Sequence, residues 1–493
     1  MKKIFGNSSD IGKLMILIGL LLLVPLIILP FYSDEIGYAL SFILPAISSI
    51  IAGFIICALF KQKEDMRIWN YNMQNGNLTV FFAWLYAFLL GSLPFVISKQ
   101  LNFVGALFES VSGWTTTGLS VMDVSITPAI FLFYRSFMQY CGGIGFVLMM
   151  VVIIQNKQSS NLFNAEGHND QIMPSLGKTA RSILMTYIVL FIIGTLLYIA
   201  AGMPVFDSLI HSMSALSTGG FSTKVNSIGE YNNIAIEAVT IALMLIGTTK
   251  FAVLLLFIKR KFRQAFRVSE LKFMFAVLCI FIPLVTLSLV YGVYINVGEA
   301  IRQSIFNVVS ALSTTGYSTV SYANWTGFGL GMIIILMLIG GGMGSTAGGL
   351  KLTRVYLLFR TGGENIKKRL SPSGKVSAPY YYKAQGKTDI DGNLLFDNLG
   401  FAIIYLFIFI IGSLLLTVTE SCSLTNAMFE FASSLGTVGL SIGITNPATN
   451  AGTLIVEMFG MILGRLEIFV VIIGIFSAFS KIRKKISRNK IQF

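Results

Sequence analysis

The chain has 493 residues, 55% hydrophobic and only 12% charged, about half the charged share of a soluble domain, which excludes a water-soluble globular protein and indicates an integral membrane protein. A formal charge of +14 would suit nucleic acid, but the cations cluster in short loops between apolar runs. The cytoplasmic bias of Lys and Arg explains that, and no nucleic-acid partner is expected. Cys57, Cys141, Cys279 and Cys422 lie in or beside apolar segments without CxxC spacing, so neither a disulfide framework nor a zinc site is expected.

A helix needs about 20 apolar residues to cross a hydrocarbon core of roughly 30 Å. In chain order, ten stretches qualify: 13–32, 37–60, 78–97, 128–154, 180–201, 234–257, 271–294, 327–359, 400–418 and 453–480. The first follows Met-Lys-Lys, but it is long and no Ala-x-Ala site follows it, so it is taken as half of an uncleaved hairpin with 37–60. Basic runs follow the second, sixth, eighth and tenth stretches ("KQKEDMR", "KRKFR", "RTGGENIKKR", "KIRKKISRNK"), and Lys157 and Lys178 follow the fourth. That side is assigned to the cytoplasm, with both termini on it.

Short polar segments follow the third, fifth, seventh and ninth stretches, and they align without gaps: "FESVSGWTTTGLS" (108–120), "IHSMSALSTGGFS" (210–222), "FNVVSALSTTGYS" (306–318) and "FEFASSLGTVGLS" (429–441). The shared glycines are Gly118, Gly220, Gly316 and Gly439. Two residues before each stands a threonine, six before a serine, and two after another serine. Such a repeat dictates architecture. Each unit reads as helix, re-entrant helix and loop, helix, and the four loops would line one water-filled pathway, because irregular backbone is not tolerated against lipid. The expected fold is all-α and membrane-integral: two N-terminal transmembrane helices (1–70), then four pseudo-repeats around a central pore at 71–160, 161–262, 263–370 and 371–493. Gly/Ser/Thr-rich outer loops or helix-packing motifs are the alternative for one segment, but four copies argue against it.

A dehydrated monovalent cation needs oxygens in place of its water shell, and converging backbone carbonyls supply them. Glycine permits backbone angles that aim a carbonyl inward. The expected ion-binding residues are Thr116, Thr117 and Gly118; Thr218, Gly219 and Gly220; Thr314, Thr315 and Gly316; and Thr437, Val438 and Gly439. The ion is the cargo, and no cofactor is expected in the chain.

"TTTGLS", "STGGFS", "STTGYS" and "TVGLS" resemble the four filter segments of the Trk/Ktr/HKT superfamily of K⁺ transport proteins. "YRSFMQYCGGIGF" (134–146), "GGGMGSTAGGLKLTR" (340–354) and "GRLEIF" (464–469) extend the likeness over essentially the whole chain. The two leading helices resemble TrkH-type subunits, whereas "TVGLSIGIT" is closer to the KtrB type. In the HKT branch a serine at the first filter glycine is associated with Na⁺; Gly118 stands here, which implies K⁺. The resemblance further implies a homodimer with one pore per protomer, a bacterial plasma membrane, and a cytosolic ring of nucleotide-binding RCK subunits of TrkA or KtrA type. The chain itself has no Walker A sequence and no GxGxxG loop between strand and helix.

Consecutive glycines interrupt the eighth stretch, each weakening a helix by roughly 1 kcal/mol relative to alanine, so the chain is expected to unwind there; close packing through small residues is the alternative. The family likeness implies an intramembrane loop that obstructs the pore. The gate is therefore expected at Gly340, Gly341, Gly342, Gly344, Ser345, Thr346, Gly348 and Gly349, held closed by Lys351 and Arg465. Other charges expected within spans are Arg135, Lys250, Glu457 and Glu467; Lys250 reads equally as a structural charge. Glu109 and Glu430 are expected near pore-helix starts, supporting the positive dipole end rather than attracting ions.

Only His168 and His211 could serve as catalytic histidines, and no HExxH or paired-acid constellation exists, so the chain is not expected to be an enzyme. K⁺ uptake through a selective pore is the expected function. Alternatives are a carrier coupling K⁺ to Na⁺ or H⁺, since carriers also use broken helices and repeats, and a Na⁺-permeable pore.

Overall fold

Apolar faces and small residues set the first contact of the chain. In the computed structural model, which describes residues 10–59, 73–145, 176–371, 379–466, 468–469 and 471–472, α1 (Asp10–Leu21) and α2 (Ala39–Leu59) form the expected hairpin. A methyl group on Gly12 or Gly53 would lie closer than 3 Å to the other's carbonyl oxygen, the close crossing that small residues permit between membrane helices. The basic segments "KQKEDMR" and "KIRKKISRNK", Lys157, His168 and Glu467 lie outside the described residues, as do the ends of stretches 128–154 and 453–480.

Four units follow. The first comprises α3 (Met73–Ile97), α4 (Phe103–Trp114) and α5 (Ala129–Ile144); the second α6 (Leu176–Ala200), α7 (Val205–Leu216), α8 (Ile234–Thr248), α9 (Phe251–Ile258) and the short α10 (Phe262–Ala265). The third comprises α11 (Ser269–Gly292), α12 (Val297–Ser313), α13 (Gly327–Ile339) and α14 (Leu352–Leu370); the fourth α15 (Gly392–Glu420), α16 (Leu424–Gly436) and α17 (Ala451–Arg465). Each unit repeats one plan: a long apolar helix, a short buried helix, an extended limb and a return helix. The Glu35 carboxylate accepts the amides of Ala129 and Ile130 at 2.7 and 2.8 Å, so the hairpin caps α5 of the first unit. Glu35→Ala is expected to cost about 1–2 kcal/mol, read as a lower thermal midpoint of the detergent-solubilised protein.

The ten continuous spans expected from hydropathy need correction. Among the described residues six helices are long and apolar enough to cross a membrane, or seven if α8 and α9, bent by 110°, count as one. All four return helices stop early: α5 at Gly145 (φ 85°), α8 before Lys250, α13 at Gly340 (φ 68°) and α17 at Leu466. Hydropathy sums apolar residues on both sides of such a break and does not register the turn.

Polarity is distributed as a lipid-immersed pore requires. Ile192, Leu196, Ile280, Ile403 and Phe407 are exposed on the long helices, whereas Ser112, Thr116, Thr218, Ser310, Thr314 and Ser433 are wholly buried near the centre. The sequence reading did not foresee a hairpin of β1 (Tyr380–Lys383) and β2 (Gly386–Asp389), paired Tyr382 to Lys387. It docks on α11 and α10: Tyr382 N donates to Ser269 Oγ at 3.0 Å, and Gln264 Nε2 to Ala384 O at 2.8 Å.

Candidate ion pathway

The four short helices α4, α7, α12 and α16 end in one way. The next turn closes through a threonine in the left-handed region: Thr116, Thr218, Thr314 and Thr437, with φ of 57°, 52°, 56° and 49°. The amide after each threonine donates to the carbonyl of the serine six residues before the shared glycine: Thr117 to Ser112 (2.9 Å), Gly219 to Ser214 (2.8 Å), Thr315 to Ser310 (3.1 Å) and Val438 to Ser433 (2.8 Å). This is a helix stop normally built with glycine, and a branched side chain there costs roughly 1–2 kcal/mol. The same unfavourable choice in all four copies indicates that the threonine serves something other than the turn.

Each chain then leaves through its glycine, and the four limbs close into a ring. A methyl group on Gly118 would overlap Gly219 O, one on Gly220 would overlap Thr315 O, one on Gly316 would overlap Val438 O, and one on Gly439 would overlap Thr117 O. The order is first to second, second to third, third to fourth and fourth back to first, which is possible only if the loops surround one axis. Gly118, Gly220, Gly316 and Gly439 (φ 93°, 79°, 79° and 95°) are partly accessible, whereas Thr116, Thr117, Thr218, Gly219, Thr314, Thr315, Thr437 and Val438 are buried. Thr116 Oγ1 and Thr437 Oγ1 are buried without a hydrogen-bond partner.

Braces hold the limbs. Ser112 Oγ donates to Leu119 O at 2.6 Å and accepts from Gly118 N at 3.0 Å; Ser433 Oγ accepts from Gly439 N at 3.0 Å, and Ser310 Oγ donates to Tyr317 O at 2.6 Å. Glu109 and Glu430 lie in mid-helix and not at a dipole end. Their carboxylates grip the outgoing limb, accepting from Ser120 Oγ and Val121 N (2.6 and 2.7 Å) and from Ser441 Oγ and Ile442 N (2.6 and 3.0 Å). His211 and Asn307, at the matching positions, contact Ser222 Oγ at 3.0 Å and Thr319 Oγ1 at 3.1 Å. That equivalence was readable in the alignment, nine residues before each glycine, but the differing residue types hid it. Glu109 is paired with Arg135 at 3.0 Å, an ion pair wholly within protein.

Gln139 on α5 was missed because it lies in another unit. It donates to Gly219 O at 2.6 Å and accepts from Phe221 N at 3.1 Å, clamping the second limb on both sides of Gly220.

Against the threonine end of the ring lies the glycine segment joining α13 to α14. Thr346 Oγ1 donates to Gly247 O (2.9 Å) or Leu216 O (3.1 Å) and lies 3.2 Å from Thr218 Oγ1. Gly348 N donates to Thr314 Oγ1 at 2.8 Å, and a side chain on Gly348 would collide with Thr437 Oγ1. Arg465 reaches from α17 to Thr346 O at 2.7 Å and also donates to Gly142 O; Lys351 Nζ donates to Ala347 O. Gly342 N donates to Thr248 O at 3.0 Å, Ser345 Oγ to Gly342 O at 2.7 Å, and Phe251 N to Gly344 O at 3.1 Å. Gly341 N donates to Gly348 O at 3.2 Å, while Gly340 and Gly349 pack backbone to backbone. The segment is thus tied directly to the second, third and fourth units, and through Arg465 to the first. Lys250 occupies the N-cap position of α9 at the second unit's break, and Glu457 lies buried on α17.

Among the described residues no group of three or more His, Cys, Asp or Glu could hold a metal ion. The chemistry on offer is a circle of carbonyl and hydroxyl oxygens, suited to a hard alkali cation.

The chain matches the TrkH family, described as cation transport protein, over residues 46–481. It is 31% identical over 492 residues to the Trk system potassium uptake protein TrkG of Escherichia coli K12, covering 95% of this chain and 96% of that one. It is 28% identical to the Trk system potassium uptake protein TrkH of Salmonella typhimurium, covering 94% and 96%. Its fold is similar to the crystal structure of the potassium transporter TrkH from Vibrio parahaemolyticus, with a TM-score of 0.82, 26% identity, and coverage of 96% and 98%.

Proposed function

Since the chain belongs to the TrkH family of cation transport proteins, which are transporters and not enzymes, we propose that it takes K⁺ into the cell along the axis of the four-loop ring. The closed circle of glycine contacts carries this reading. An ion on that axis meets carbonyls from four limbs at once, and the orphaned hydroxyls of Thr116 and Thr437 offer further oxygens at its threonine end. The cost of holding threonine in the left-handed region is then offset by an oxygen donor that glycine lacks.

The segment 340–349 serves as the gate, in its closed position, with Arg465 and Lys351 as latches. Opening requires the bonds of Thr346 and Gly348 to break together. The chain works as a homodimer in the bacterial cytoplasmic membrane, with both termini in the cytoplasm, and a cytosolic RCK ring of TrkA or KtrA type, loaded with nucleotide, moves the gate. The relatives' being Trk system proteins supports a multi-component assembly.

Rubidium uptake into vesicles containing the purified chain tests this reading. Uptake suppressed by K⁺ far more than by Na⁺ is expected, and equal suppression by both ions would overturn it. Gln139→Leu is expected to narrow the K⁺/Na⁺ preference severalfold, because two hydrogen bonds worth roughly 0.5–1.5 kcal/mol each no longer fix the second limb; the ratio of the two competition constants checks this.

One observation favours coupled transport as a second reading. Thr445 Oγ1 lies 2.5 Å from Glu430 Oε1 and 3.0 Å from Glu457 Oε1, with both carboxyls fully buried. One hydroxyl donates only once, so a proton or a cation on one carboxyl would complete the arrangement. Rubidium uptake that stops when the pH gradient is collapsed would select the coupled reading.

A further inference from the structure

Where α8 turns into α9, a cavity of about 420 Å³ lies between α6, α8, α9 and α11, within the roughly 300–1,000 Å³ of small-molecule sites. Its wall is almost wholly apolar, with Leu190, Leu254, Phe257, Phe266 and Phe275 among its residues and Thr186 as one of two hydroxyls. Phe257 meets Phe262 at a tilt and Phe266 edge-to-face, shaping one side. At the end of α9 the wall residue Ile258 is followed directly by Lys259, Arg260, Lys261 and Arg263, with Arg267 just beyond Phe266, and all five are exposed. None of these cations has an acidic partner within ion-pair distance among the described residues. The nearby acid Glu270 faces the other way, accepting from Met343 N at 3.0 Å and Thr353 Oγ1 at 2.6 Å.

An apolar slot of that size, opening beside five exposed cations without an acidic partner among the described residues, has the polarity of one kind of molecule. We propose that the cavity holds an acyl chain of an anionic phospholipid from the bilayer, whose phosphate rests on the Lys259–Lys261 turn and Arg263. A neutral phospholipid would fill the slot but leave the cations unmatched, and a free anion would match the cations but leave the slot unfilled. The same corner is bonded to segment 340–349, through Gly342 N to Thr248 O and Phe251 N to Gly344 O at 3.0 and 3.1 Å. A bound chain therefore biases the α8–α9 bend, and with it the gate. This coupling rests on the gate reading above; the binding does not.

The test uses the full chain in vesicles of phosphatidylcholine with increasing phosphatidylglycerol, followed by detergent extraction and mass spectrometry of the retained lipid. At least a tenfold preference for phosphatidylglycerol is expected. The combined variant Lys259→Gln, Arg260→Gln, Lys261→Gln and Arg263→Gln, all exposed positions, is expected to remove the preference. Leu254→Trp, which fills the slot, is expected to remove retention at an unchanged thermal midpoint. Equal retention of both lipids by the unaltered chain, or a preference that survives the charge substitutions, would overturn the proposal, as would displacement of the lipid by millimolar inorganic phosphate. Should Leu254→Trp fail to fold, quenching of Leu190→Trp fluorescence by brominated-chain phosphatidylglycerol decides in its place: quenching supports the site and its absence refutes it. Rubidium flux that changes with phosphatidylglycerol in the unaltered chain but not in the charge variant supports the coupling; binding without any flux change refutes the coupling alone.

Discussion

Gly316→Ala is expected to lower rubidium uptake at least roughly tenfold without unfolding the protein. Gly316 holds φ at 79°, and its missing side chain is where the carbonyl oxygen of Val438 lies. A methyl group there adds a backbone penalty of about 1–2 kcal/mol to an overpacking cost of about 1–3 kcal/mol. Both costs fall on the ring, because the neighbour that must yield is itself one of its carbonyls. Relief comes by pushing Val438 outward, which removes an oxygen from the axis. Gly331→Ala on α13 is the control, since it has no positive φ and meets nothing within 4 Å. Uptake into vesicles, with circular dichroism to confirm folding, compares the two. Equal uptake by both variants would remove the ring from the ion path.

Arg465→Gln is expected to raise uptake by roughly 10- to 100-fold in the absence of any cytosolic partner. The guanidinium bonds Thr346 O from α17 and Gly142 O from the first unit, and charge-assisted bonds are worth about 1.5–3 kcal/mol each. Part of the combined roughly 3–6 kcal/mol is regained from other partners in an open position, so about 1.4–2.8 kcal/mol, close to half of it, is taken as the closed-state bias, at about 1.4 kcal/mol per factor of ten. Thr346→Val, which removes the hydroxyl bonded toward Leu216 O and Gly247 O, is expected to act in the same direction. Replacing 344–347 with a shorter linker should do so more strongly. If all three variants show unaltered flux and unaltered dependence on a partner, segment 340–349 is not the gate.

The ring was legible because its information is local and repeated four times without a gap, so that one glycine register places twelve residues. The glycine segment was legible from its composition. Much of the remainder depends on relations between units that no single segment carries. Gln139 braces a limb of the next unit, and nothing within "YRSFMQYCGG" distinguishes a bracing glutamine from a packed one. Glu109 and Glu430 read as dipole partners only if they stand at helix starts, whereas both lie in mid-helix and the contacts that matter come from the chain after the glycine. The shortened return helices were hidden because Val253 and Leu254 beyond the Thr249–Lys250 turn are as apolar as Leu243 and Met244 before it. The β-hairpin at 380–389 offered only "YYYKAQGKTD", two strands of four residues, too short to register beside long apolar runs.

The contact of Gly439 with Thr117 joins the beginning and the end of a long polypeptide, whereas the other three junctions join neighbours along it. During synthesis the first three units can therefore associate as they emerge, but their hydroxyl-lined inner face stays open along one side until the fourth inserts. A chain truncated after the third unit would leave that cleft facing the bilayer, and premature termination should yield a species captured by membrane quality control rather than a leaky conductance.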